Sequence, residues 1–148
     1  NLAIYITMYV IGTKRGTVSY LIYLLIGLAG VPVFSGFTSG PGKLMGPTGG
    51  YLIGFIFMAF VTGLFTDRFY KKRVICIAGM FIATLIPYIL GTAWLAYSAK
   101  MTFAAALAVG VTPFIIEDLL KMVVSAMVGP VLKTRLMRAG VSADEIKN

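Results

Sequence analysis

Three ionisable residues stand where an apolar sequence should carry none. Glu117, Asp118 and Lys121 fall inside PFIIEDLLKMVVSAM, with apolar residues on both sides. A charge near the middle of a bilayer costs about 2.5–3.5 kcal/mol on insertion scales, so such groups turn toward the interior of a helix bundle and mark a functional path. Asp118 and Lys121 are three residues apart and Glu117 and Lys121 four apart, so on one helix either acid reaches the lysine. The plainer alternative is an internal ion pair that only orients the helix. The chemistry on offer is recognition, because a carboxylate takes N–H donors and an ammonium takes an anion. Of the two acids, Asp118 is the one expected to point inward, with Glu117 nearer the interface.

Catalysis finds little support in the same residues. There is no histidine, so the commonest general base and metal ligand is missing. Asp118 with Lys121 as an acid–base pair is the remaining enzymatic reading, and no activated nucleophile or metal set accompanies it. The only Gly-Lys pair, Gly42 and Lys43, is followed by Leu44, which has no hydroxyl to hold Mg²⁺ as a phosphate loop requires. We therefore expect no enzyme activity and no cofactor, with any ATP hydrolysis supplied by partners.

What must position these charges is a glycine-rich stretch upstream, GFTSGPGKLMGPTGGYLIG. It holds seven of the seventeen glycines and two of the six prolines, yet apolar segments flank it on both sides. Glycine opens positive φ and close approach, while Pro41 and Pro47 restrict what is left, so the stretch is expected to be irregular but fixed. Irregular backbone at membrane depth is tolerated only where protein buries it or where it lines a cavity. An ordinary hairpin loop outside the membrane is the other reading. Gly46, Gly50 and Gly54 recur every four residues and predict a stripe for close helix packing. Ala104, Ala105 and Ala108 predict a second small-residue face. Phe34, Phe37, Tyr51 and Phe55 supply aromatic walls. The pocket so assembled suits a small amphipathic solute with a carboxylate and a polar ring.

Composition fixes the class. Hydrophobic residues make up 59% of the 148 and charged ones 12%, with a mean hydropathy of +0.92, against about 25% charged in a typical soluble domain. The chain is expected to be an integral membrane protein, one transmembrane helical domain over residues 1–148 with a short cytoplasmic tail at 139–148. Five apolar segments follow one another: Asn1 to Gly12, Thr17 to Val31, Gly50 to Thr66, Val74 to Leu95, and Phe103 to Leu132. Ten of the thirteen cations, from Lys14 to Lys147, fall after the first, third and fifth. The positive-inside rule then places those loops in the cytoplasm and the glycine-rich loop outside. Cations gathered in this way write topology, and no basic aromatic face for nucleic acid is visible. Asn1 to Gly12 is too short to cross about 20 residues' worth of hydrocarbon, so we read it as a truncated span; the charge alternation puts Asn1 outside, and we therefore expect one earlier span and six in all, with both ends inside. Gly110 and Pro113 predict a helix break near Val111 to Pro113, with a new helix from about Phe114 to Leu136. Cys76 is the single cysteine and excludes an internal disulfide.

The run GLAGVPVFSGF, followed by GPTGGYLIGF and, well downstream, DLLK, resembles the BioY family, the biotin-specific substrate-binding (S) components of energy-coupling-factor (ECF) transporters. The likeness covers Thr13 to Leu136. It implies an all-α bundle of six helices in the plasma membrane that captures biotin from outside. It also implies as partners a transmembrane coupling subunit and two cytoplasmic ATPases, which drive uptake. Carried over by position, the loop motif falls on Gly46 to Tyr51 and the later element on Asp118 and Lys121; the expected binding residues are Thr48, Gly49, Gly50, Tyr51, Asp118 and Lys121, with Phe34, Ser35 and Lys43 beside them. Asp118 would accept from the ureido N–H groups, Thr48 and loop amides would meet the ureido carbonyl, and Lys121 or Lys43 would pair with the carboxylate. The architecture would also serve another vitamin, with only the pocket changed.

Overall fold

Regular structure is helical across residues 1–140, which the computed structural model describes, apart from one isolated bridge between Phe34 and Thr38. The tail expected from residue 139 therefore falls, from 141 onward and including Lys147, outside the described residues. The helices are α1 (Leu2–Leu28), the short α2 (Pro41–Met45), α3 (Gly49–Phe69), α4 (Arg73–Ser98), α5 (Phe103–Gly110) and α6 (Ile115–Arg138). Three stretches, Gly49–Phe69, Arg73–Ser98 and Phe103–Arg138, are long and apolar enough to cross a membrane. Large side chains such as Leu25, Ile89 and Leu120 lie exposed on the outside of the bundle, where lipid and not water suits them. This is an all-α, multi-pass membrane protein.

The first two apolar segments meet with no loop between them. Gly12 takes φ 77° and ψ 177°, which breaks α1 into arms 2–11 and 13–28. The arms fold back on each other, since Gly16 lies against Thr7 and Met8. Lys14 and Arg15, expected in a linker before Thr17, sit instead in the first turn of the second arm. The reversal holds because Asp67, in the last turns of α3, accepts from Thr13 N at 3.0 Å and Thr13 Oγ1 at 2.6 Å. A carboxylate there satisfies amide donors that a helix start leaves open and suits the positive end of its dipole. Lys133 of α6 reaches the other oxygen of Asp67 at 3.8 Å, so three elements meet at this end.

The first arm is the core of the bundle. Tyr5, Met8 and Tyr9 are fully buried. The Tyr5 hydroxyl pairs with Thr84 Oγ1 of α4 at 2.6 Å, and Tyr9 packs on Gly129 of α6. The second arm lies along α3, where Tyr20 donates to the Leu52 carbonyl at 3.1 Å and Gly63 stands against Thr13. Between α3 and α4 the glycine stripe is real for two of its three members. A Cβ on Gly54 would stand 2.5 Å from Pro87 Cα, and one on Gly50 would strike Trp94 and the Leu90 carbonyl. Gly46 precedes the helix instead, and its carbonyl accepts from Trp94 Nε1 at 2.9 Å. The alanine face is not as expected. Ala106 is the buried residue of α5, while Ala104, Ala105 and Ala108 face outward, because α5 is short and packs mainly on α4 and the turn that follows it, with Tyr51 of α3 against its last residue, Gly110.

The break near Pro113 appears as anticipated. α5 stops at Gly110, a single 3₁₀ turn covers Thr112–Phe114, and α6 begins at Ile115. Glu117 and Asp118 thus occupy the first turn of α6, where the helix dipole favours carboxylates.

Candidate functional site

The glycine-rich stretch folds back over the end of the bundle that the arms of α1 leave open. Gly40 N donates to the Gly27 carbonyl at 2.8 Å, which anchors the stretch to the end of α1, and Phe34 is seated on Gly27. Phe34 is buried and meets Tyr23 edge to face, with ring centroids 5.7 Å apart. Positive φ at Gly36, Phe37 and Gly40 shapes the run into α2. α2 then carries Lys43 over the opening.

Beneath this loop is a cavity of about 510 Å³, a size usual for small-molecule sites. Phe34, Ser35, Lys43, Pro47, Thr48, Tyr51, Leu52 and Phe55 line it from the loop and α3. Tyr88 and Leu95 come from α4, Val109, Gly110 and Phe114 from either side of the break, Asp118 and Lys121 from α6, and Asn1 from the head of α1. Its charges are three, and its walls are otherwise mostly aromatic and aliphatic. A second cavity of about 450 Å³ lies between the arms of α1 and shares Asn1, Ser35, Leu52 and Phe55 with the first.

Asp118 is the buried charge of the set, its side chain 8% exposed against 56% for Glu117. Asn1 Nδ2 donates to Oδ1 at 2.6 Å and the Tyr88 hydroxyl to Oδ2 at 2.7 Å. Lys121 lies between the two acids, 2.7 Å from Glu117 Oε1 and 3.4 Å from Asp118 Oδ1. Lys43, half-buried at the loop end, enters no ion pair among the described residues. Tyr51 packs on Gly91 and Gly110, and its hydroxyl is 3.4 Å from Thr92 Oγ1.

Of the nine residues singled out from sequence, Phe34, Ser35, Lys43, Thr48, Tyr51, Asp118 and Lys121 come together on one cavity wall. Gly49 and Gly50 do not line it. They are buried behind it, Gly49 against the Leu44 backbone and Gly50 against α4. Phe37, expected as an aromatic wall, is 89% exposed and lies outside. Sequence reasoning passed over Asn1 and Tyr88. A tyrosine in the middle of an apolar helix whose hydroxyl needs a partner was the available signal for Tyr88; Asn1 offered none.

Comparison with known proteins shows the family. The model of the BioY family matches residues 1–138. The chain is 40% identical over 131 residues to the biotin transporter BioY of Thermotoga maritima, covering 88% of this chain and 76% of that one. It is 39% identical over 112 residues to a probable biotin transporter BioY of Pyrococcus horikoshii, covering 76% of this chain and 64% of the other. Among solved structures it is similar to the S-component for biotin from an ECF-type ABC transporter, with a TM-score of 0.83 and 24% identity over 90% of this chain and 73% of that one. That likeness shows the fold, an S-component-like helical bundle.

Proposed function

The chain belongs to the BioY family, and from that premise we propose that it is the substrate-binding membrane component of an ECF-type biotin importer. The observation that carries the proposal is the cavity under the GPTGGYL loop, whose one buried carboxylate and two bordering lysines match the polar groups of biotin. Asp118 takes a ureido N–H. Thr48, on the cavity wall at the start of α3, meets the ureido carbonyl, and a bordering lysine, Lys121 or Lys43, meets the carboxylate. Phe34, Tyr51 and Phe55 enclose the rings and the aliphatic arm. Gly49 and Gly50 shape this wall from behind. Ser35 lines both cavities.

The protein performs no chemistry of its own in this reading. A transmembrane coupling subunit and two cytoplasmic ATPases supply the energy, acting from the end where Lys14, Arg15, Arg68, Lys71, Lys72 and Arg73 gather. The chain sits in the plasma membrane with the glycine-rich loop outside. Uptake tests this directly. Cells unable to make biotin, given the intact protein with its coupling subunit and ATPases, should take up labelled biotin, and uptake should stop when ATP hydrolysis is abolished by mutation. Uptake of thiamine or riboflavin in place of biotin would overturn the substrate assignment.

A further inference from the structure

Asp118 is held from three directions. Asn1 at the head of α1 donates to Oδ1 at 2.6 Å, Tyr88 from α4 donates to Oδ2 at 2.7 Å, and Lys121 of α6 reaches Oδ1 at 3.4 Å. Asn1 and Tyr88 also line the cavity. A carboxylate offers about four lone-pair directions, so these donors leave it roughly one open. The carbonyl oxygen of the Asn1 side chain is buried and has no partner among the described residues. The hydroxyl proton of Tyr88 is spent on Asp118. What this corner of the cavity has left to give a ligand is therefore mainly acceptors.

We propose that Tyr88 and Asn1 are positioning residues for the Asp118 carboxylate, and that the acceptors they leave open select ligands presenting N–H donors. The inference rests on the cavity being the biotin site, where the ureido ring supplies those donors. A carboxylate free to turn must be ordered when the ligand arrives, and that ordering costs affinity. Bonds from two other helices order it beforehand. Phenylalanine at position 88 keeps the ring and removes only the donor.

The experiment titrates biotin into the intact protein in detergent, for the wild type, Tyr88→Phe, Asn1→Ala, Asp118→Asn, Asp118→Ala and the pair Asp118→Ala with Tyr88→Phe. Tyr88→Phe and Asn1→Ala should each weaken biotin about two- to tenfold, with the ligand-free melting temperature little changed. In the pair, loss of Tyr88 should add nothing to the Asp118→Ala loss, since the tyrosine acts only through the carboxylate. Tyr88→Phe and Asn1→Ala at wild-type affinity overturn the inference, and so do losses that simply add in the pair, because a packing role would add. Should Tyr88→Phe fail to fold, Asn1→Ala paired with Asp118→Ala carries the same test. Absence of biotin binding by the wild type, or wild-type affinity in Asp118→Asn, sinks the biotin reading and this inference with it. Failure of the Tyr88 and Asn1 variants alone leaves that reading standing.

Discussion

At the scale of single residues, the proposed biotin site turns on one carboxylate and the choice between two lysines. Hydrogen bonds to charged groups contribute about 1.5–3 kcal/mol, so Asp118→Asn should weaken biotin by about tenfold or more. Titration of the variant checks this, and unchanged affinity would remove Asp118 from the site. The lysines differ in their engagements. Lys121 is shared between Glu117 and Asp118, while Lys43 has no ion-pair partner among the described residues. Whichever meets the ligand carboxylate should, as glutamine, lose affinity for biotin and keep it for biotin amide. Equal losses for both ligands in Lys43→Gln and Lys121→Gln would show that neither pairs with the carboxylate. The charged trio was legible from sequence because an ionisable residue in an apolar run has few innocent explanations. Tyr88 was not, because its role depends on what stands opposite it across the bundle.

At the scale of elements, the glycines of α3 set how closely α3 and α4 approach. Gly54→Ala puts a methyl 2.5 Å from the Pro87 backbone, which cannot yield as a side chain would. Overpacking of this kind costs about 1–3 kcal/mol, and the thermal midpoint in detergent should fall. Gly42→Ala is the control, since nothing lies within 4 Å of its added carbon and the midpoint should hold. Equal behaviour of the two variants would contradict the packing account. The four-residue glycine spacing and the Gly110 to Pro113 break were visible in the sequence because both are local. The turn at Gly12 was not, because it depends on Asp67, more than fifty residues away, to accept from Thr13. The outward alanines of α5 escaped for a related reason: small size permits close packing, but only the position of a neighbour decides which face is used.

At the scale of the whole molecule, the alternation of charge along the chain anticipates which ends lie together. Asp67 ties Thr13 and Lys133 at the end where basic residues cluster, while Asn1, Lys43 and Asp118 share the cavity at the other. Asp67→Ala should release that tie and lower the thermal midpoint by more than Asp67→Asn, whose side-chain oxygen can still accept from Thr13. Equal loss would mean that the ion pair with Lys133, and not the cap, carries the stability. Single cysteines at positions 40 and 68, in a protein with Cys76 replaced, should label from opposite faces of the membrane. Labelling from one face would overturn the topology.

Titration calorimetry of the intact, folded protein with biotin, against thiamine and riboflavin, tests the central claim most directly. Biotin should bind tightly at one site, and the other two not at all. Silence toward biotin from a protein that melts cooperatively would contradict it, leaving the GPTGGYL loop as a mark of the fold and not of the ligand.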